Sequence, residues 1–195
     1  MFHGISERII NYAVGIQALE QEKTEEYVYG LEITLSVLAS YLSVLIIGFL
    51  LGMGWESVVF LVLFISIRRF AGGFHFSSQI ACYTFTCLVS TAVLLTIKYV
   101  PVHAGVCAVI MIVSSLILLI FSPVPAFEKP LDAVEKVVYG RVARIIVILI
   151  DGIYLVVCLA HQAYLAKTIS ITVCMVAISL ILGKVKQKLK VNMDY

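Results

Sequence analysis

Residues Ile33 to Leu51 read ITLSVLASYLSVLIIGFLL, nineteen consecutive positions without a charge. As a helix rising about 1.5 Å per residue this run reaches roughly 28 Å, close to the thickness of a bilayer's hydrocarbon core. It lacks the period-two alternation of a barrel strand, so it predicts a membrane-spanning helix. Five further runs of the same kind follow: Gly54–Ile67, Ile80–Ile97, Val102–Phe121, Val142–Ala160 and Tyr164–Leu182. The second is short and carries Glu56 near its outer end, so tilting, local thinning of the bilayer and a re-entrant course all fit it.

The rest of the composition agrees with lipid as the solvent. The 195 residues are 62% hydrophobic and only 13% charged, with a mean hydropathy of +1.06, whereas soluble domains carry about 25% charged residues. No polar stretch between the runs is long enough to fold alone, which predicts a single membrane-embedded domain over residues 1–195. The expected fold class is all-α and polytopic: six transmembrane helices over 31–183, an amphipathic helix within 1–30 before them, and a basic tail over 184–195.

A net charge of +2 is too small to suggest nucleic acid as a partner, and its distribution is more informative than its sum. Arg8, Lys23, Arg68, Arg69, Lys129, Lys136, Arg141, Arg144, Lys184, Lys186, Lys188 and Lys190 fall on one side of the six runs, and only Lys98 and Lys167 on the other. Twelve against two places both termini and the Arg68–Gln79 connection in the cytoplasm by the positive-inside rule. Half of the acids, from Glu7 to Glu32, precede the first span, a prefix that does not fit a secretory signal.

Within that prefix Ile5, Ile9, Tyr12, Ile16 and Leu19 recur at helical spacing and mark one apolar face. The polar face is acidic, which gives little attraction to anionic lipid and favours packing of the stripe against protein. Residues Ser122–Gly140 hold Pro123, Pro125 and Pro130 and are expected to form a cytoplasmic loop. No internal repeat of the transporter kind is evident.

Chemistry concentrates in Arg68-Arg69-Phe70-Ala71-Gly72-Gly73-Phe74-His75-Phe76-Ser77-Ser78-Gln79-Ile80-Ala81-Cys82. A cysteine becomes a nucleophile as its thiolate, and histidine is the side chain suited to take the proton. On one continuous helix His75 and Cys82 would share a face but sit about 10 Å apart along the axis, beyond hydrogen-bond reach. A working pair therefore requires a break between them, which Gly72-Gly73 and a helix start capped by Ser77 or Ser78 would supply. The residue types alone equally suit interfacial packing, with Arg68 and Arg69 as membrane anchors and the glycines as a hinge.

The RRFAGGFH motif at 68–75 followed by Cys82 resembles the accessory gene regulator protein B (AgrB) family, the membrane peptidases of Gram-positive quorum sensing. Glu25-Glu26-Tyr27 through Tyr29-Gly30-Leu31-Glu32, and Glu128-Lys129-Pro130-Leu131 in the proline loop, extend the resemblance over nearly the whole chain. It implies a membrane cysteine endopeptidase in which His75 and Cys82 cut an AgrD-like propeptide on its C-terminal side. A thioester acyl-enzyme would form, from which an internal Cys or Ser closes a thiolactone or lactone ring. It also implies a homodimer as a plausible assembly and requires no cofactor.

Arg68 and Arg69 suit the carboxylates of an acidic propeptide, and anchoring explains them equally. Asp151, inside the fifth span, is expected to face the bundle interior or water, where it would orient His75, pair with an arginine, or line a path in a peptide exporter. Cys87 lies about 140° around the helix from Cys82, so both cannot face one histidine. Cys107, Cys158 and Cys174 read as small apolar residues, and no CxxC spacing supports a zinc site or disulfide framework. Beside a peptidase, a small peptide exporter and a non-catalytic assembly factor remain as alternatives.

Overall fold

The structure is a computed structural model that describes residues 2–74, 76, 78–124 and 132–193, with side chains through Leu189. Seven α-helices account for nearly all of them: α1 His3–Gly15, α2 Thr24–Leu50, α3 Gly54–Ala71, α4 Gln79–Tyr99, α5 Ala104–Phe121, α6 Ala133–Leu159 and α7 Ala163–Met193. The pairing outside helices is a single bridge between Gly72 and Val124 among the described residues.

Large apolar side chains cover the outside of the bundle as well as filling its centre, as a lipid solvent allows. On α2, Ser36, Ser40, Val44 and Gly48 are buried, while Leu38, Leu42, Ile46 and Leu50 on the opposite side are exposed. Lipid tails are as apolar as leucine, so helices associate through close packing at small residues rather than by hiding large ones. At Gly48 the approach is tightest: a Cβ there would lie 2.3 Å from Cβ of Ser57 on α3. The buried hydroxyls of Ser40 and Thr172 donate to the carbonyls four residues back, where no water could serve them.

Five of these helices, α2, α4, α5, α6 and α7, are long and apolar enough to cross a membrane among the described residues. The sequence predicts six. The remaining run is α3, which extends past the expected Gly54–Ile67 to Ala71 and so includes Arg68 and Arg69 as well as Glu56. At eighteen residues it equals α5 in length. It is central, packing on α2, α6 and α7 and burying Phe60, Phe64 and Ile67. Charge at its ends, not shortness, sets it apart.

Two clusters of bonds define the two ends of the bundle. At the lysine-poor end Lys98 donates to the Leu51 carbonyl and Lys167 to the Val100 carbonyl, both at 2.6 Å, so the two cations there satisfy carbonyls where α2 and α4 terminate. Tyr164 and Glu56 lie within electrostatic reach of each other at the same end. At the basic end α3, the loop after α5, and α7 converge around Gly72 and Gly73.

Three expected boundaries differ. Helix α6 begins at Ala133, nine residues before the predicted Val142, because Asp132 and Glu135 form a capping box that starts it outside the apolar run. The basic tail is a continuation of α7, helical through Met193. Helix α1 ends at Gly15 and α2 starts at Thr24, so the helix before the first span is shorter than the expected 1–30 and the span's own helix begins ahead of the apolar run at Ile33.

The face of α1 is also a correction. Ser6 and Ile10 are the residues buried against the protein, with His3 Nδ1 3.3 Å from Glu32 Oε2 of α2, whereas Ile5, Ile9, Tyr12 and Ile16 are exposed. The apolar stripe therefore does not pack on the bundle. Neighbouring positions on a helix are about 100° apart, so the contact made by Ser6 and Ile10 carries the stripe to the outer side.

Candidate active site

The segment joining α3 to α4 is built as a break. Helix α3 ends where Gly72 takes φ 77° and ψ −155°, a region open essentially to glycine alone. Gly73 follows at φ 146°. Helix α4 then starts afresh at Gln79, where Ser78, in an extended conformation, is the N-cap and its hydroxyl accepts from the Ala81 amide. Cys82 lies in the first full turn, its amide bonded to the Ser78 carbonyl at 3.0 Å. No single helix runs through the motif, as the spacing argument requires. His75 and Ser77, together with the Glu128–Leu131 motif, lie outside the described residues.

The glycines are needed for close approach on two sides. Val124, in the loop after α5, donates its amide to the Ala71 carbonyl at 2.9 Å, and a Cβ on Gly72 would come 1.9 Å from the Val124 carbonyl oxygen. On the other side α7 supplies Ser179 and Gly183. The Phe74 amide bonds the Ser179 carbonyl at 3.0 Å, and a Cβ on Gly183 would lie 2.6 Å from the Gly73 carbonyl carbon.

Arg68 ties these parts together. One terminal nitrogen donates to Ser179 Oγ at 2.5 Å, the other donates to the Phe74 carbonyl, and the guanidinium lies over the Phe64 ring at 5.6 Å. A guanidinium with two fixed donors holds loop and helix in one geometry, which a lysine's single ammonium could not reproduce. Arg68 is also within electrostatic reach of Cys82 and of Tyr41 on α2. Arg69 is exposed, its guanidinium 5.7 Å from the Phe70 ring centre.

Beyond the glycines, Phe74 and Phe76 pack edge-on with centroids 4.8 Å apart, and both meet Phe85 of α4, at 6.0 and 5.2 Å. Phe85 is one turn along α4 from Cys82. The two residues flanking position 75 are thus held against the helix that bears the cysteine. Cys82 itself is half-buried and its sulfur is free. Beside it Tyr83 pairs with Ser43 of α2 at 2.7 Å, and Ser36 donates to Gln79 at 3.4 Å, fastening the start of α4 to α2.

The remaining candidates are placed as follows. Asp151 on α6 accepts from Ser115 Oγ of α5 at 2.6 Å, on a helix that packs on α3, α5 and α7. Cys87 is half-buried further along α4, Cys107 is buried, Cys174 half-buried and Cys158 exposed; all are free thiols. Among the described residues no group of three or more His, Cys, Asp or Glu converges as a metal site would need. Sequence reasoning missed Tyr41, Phe85, Ser179 and Gly183. The last two had a signal, since small residues four apart on an apolar helix mark a close contact.

Known proteins bear on this arrangement in two ways. Residues 6–180 match the family described as Accessory gene regulator B. A putative AgrB-like protein 2 from Clostridium perfringens (strain 13 / Type A) is 26% identical over 145 residues, covering 70% of this chain and 67% of that protein. No solved structure matches the chain. The family match runs from within the first helix through the glycine break and Cys82 to Ser179 of α7, so it takes in the site apart from Gly183, and the chain belongs to the Accessory gene regulator B family.

Proposed function

We propose that this protein is a membrane cysteine endopeptidase that cleaves an AgrD-like propeptide through a thioester on Cys82. The observation that carries the proposal is the break itself. Within a family tied to the Agr quorum-sensing system, the chain between α3 and α4 is pinned at Arg68, Gly72 and Gly73. Its aromatic residues on either side of His75 are packed one turn from Cys82. That anchoring suits a histidine delivered to a cysteine from outside the cysteine's own helix.

In this mechanism His75 accepts the proton of the Cys82 thiol, and the sulfur attacks the scissile carbonyl of the propeptide. The tetrahedral intermediate collapses to a thioester as the amine of the C-terminal fragment leaves with the proton His75 returns. An internal Cys or Ser of the peptide then attacks the thioester, freeing Cys82 and closing the ring. The positive charge of Arg68 favours the negative charge that develops on sulfur and on the carbonyl oxygen. Its nitrogens are already engaged by Ser179 and Phe74, so Arg68 acts as a positioning residue and exposed Arg69 is the better candidate for a substrate carboxylate.

Six spans, both termini and the catalytic segment on the cytoplasmic side, and residence in the cell membrane complete the proposal. Helix α3 supports the sixth span, since it starts beside the Leu50 end of α2 and finishes among Val124 and Ser179 at the far end. Asp151, bonded to Ser115, is assigned no catalytic part.

The test is incubation of purified protein in liposomes with candidate propeptide and no energy source. Cleavage is expected, together with a hydroxylamine-labile adduct on the peptide containing Cys82. Uptake of intact peptide without cleavage would instead favour an exporter, and neither activity an assembly factor.

A further inference from the structure

At the basic end a cavity of about 650 Å³ opens between α5, α6 and α7, within the size range of ligand pockets. Its cations are Lys136, Arg141 and Arg144 of α6 and Lys184 of α7. Among the described residues none of the four is ion-paired with a carboxylate: Arg144 Nε reaches the Leu119 carbonyl at 3.3 Å, and Lys184 lies 3.9 Å above the Phe121 ring. Four like charges around one cavity repel, and an anion between them relieves that repulsion. Ser122, in the wall, is buried with a hydroxyl that finds no hydrogen-bond partner among the described residues.

The apolar surroundings identify the kind of anion. Ile120, Phe121 and Val137 line the cavity and are exposed. From Ile120 the exposed face of α5 continues away from this end as Leu116 and Ile112. From Arg144 the exposed face of α6 continues in the same direction as Ile145, Ile148 and Leu149. The cations therefore stand where the lipid-facing apolar surface begins, at headgroup height, with two apolar tracks leading into the bilayer. A soluble anion would use the charges and leave the tracks idle.

We propose that this cavity is a binding site for the phosphate headgroup of an anionic phospholipid, whose acyl chains lie along the exposed faces of α5 and α6. The wall residue Val124 is the same residue that bridges to Gly72, so the bound lipid adjoins the support of the α3–α4 break.

Native mass spectrometry of the full chain, released from detergent with phosphatidylglycerol or phosphatidylcholine of identical acyl chains, tests the site independently of any peptidase activity. Wild type should retain phosphatidylglycerol in preference to phosphatidylcholine. Removing cations should weaken retention about fivefold each, so Lys136→Gln/Arg141→Gln/Arg144→Gln should lose roughly 100-fold. The single Arg141→Gln variant gives a readable loss should the triple fail to fold. An Arg8→Gln/Lys23→Gln/Lys98→Gln control, with the same charge change at residues outside the cavity wall, should retain the lipid. Equal loss in that control would overturn a specific site. Glycerol phosphate binding as tightly as the lipid would overturn the lipid assignment in favour of a soluble phosphate. Displacement by an acidic peptide, with no preference for phosphatidylglycerol, would overturn it in favour of a peptide.

Discussion

Gly72→Ala tests whether the break is held as tightly as its geometry implies. The φ of 77° and ψ of −155° belong to a region that side-chain-bearing residues occupy at a cost of about 1–3 kcal/mol. The new methyl would also stand 1.9 Å from the Val124 carbonyl oxygen, so the loop after α5 must withdraw. Withdrawal sacrifices the 2.9 Å bond from the Val124 amide to the Ala71 carbonyl, worth about 0.5–1.5 kcal/mol. Together these disfavour the native segment by about 2–4 kcal/mol, or roughly 30- to 700-fold in its population relative to displaced forms. Helix packing in the bundle does not depend on Gly72, so insertion and elution as a monodisperse species should be unchanged. Amide hydrogen exchange at residues 71–74 should accelerate, and propeptide cleavage should fall at least about tenfold. Gly152→Ala is the control, because no atom lies within 4 Å of a Cβ there and alanine is the better helix former. Exchange and cleavage in Gly72→Ala indistinguishable from Gly152→Ala would refute the reasoning.

Cys82→Ala and His75→Ala should each abolish cleavage with the protein still inserted, and Cys87→Ala should retain it; product quantified by mass spectrometry distinguishes the three. Cys82→Ser should leave at most slow cutting, because an alcohol ionises far less readily than a thiol. Arg68→Lys keeps the charge but loses the two-point grip on Ser179 and Phe74, at a cost of about 1.5–3 kcal/mol for a bond to a charged group. Cleavage should fall with insertion preserved, and normal cleavage by the lysine variant would show that charge alone suffices. In a background lacking the native cysteines, an impermeant thiol reagent applied to intact cells should label His161→Cys and spare Lys188→Cys; the reverse pattern would invert the topology.

Much of the fold was legible because lipid imposes a simple rule on sequence. Apolar runs near twenty residues marked α4 and α5 closely and the apolar parts of α2, α6 and α7, and what the runs did not carry was the polar extensions of those helices. Asp132 and Glu135 begin α6 in a capping box, and α7 continues past Leu182 on Lys184, Lys186 and Lys188, residues that a hydropathy reading assigns to loop and tail. Charge placement also hid the course of α3, whose Arg68 and Arg69 end it among polar partners rather than in lipid. For α1 the sequence defines the stripe but not the direction it faces. Spacing fixes which residues share a face, but only the neighbouring helix decides which face is covered, and α2 meets Ser6 and Ile10.

The site divides along the same line between local and distant causes. That His75 and Cys82 require a break follows from helix rise alone, and Gly72, Gly73 and Ser78 were recognisable as its instruments because each acts on its own backbone. Ser179, Gly183, Tyr41 and Val124 act across the bundle. They lie far from their partners in a linear reading, from 27 residues for Tyr41 and Arg68 to 111 for Ser179 and Arg68, and nothing in one sequence says that α7 and the loop after α5 meet at Gly72. Arg68 shows why the distinction matters for function. By residue type it suits a substrate carboxylate, and its neighbour Arg69 looks equivalent. Only the partners separate them: the guanidinium of Arg68 is committed to a serine 111 positions away and to the backbone at Phe74. In the proposed mechanism, a group so fixed would hold its charge near Cys82 in one orientation before substrate arrives, and such preorganisation is what lets a positive charge stabilise charge developed during reaction.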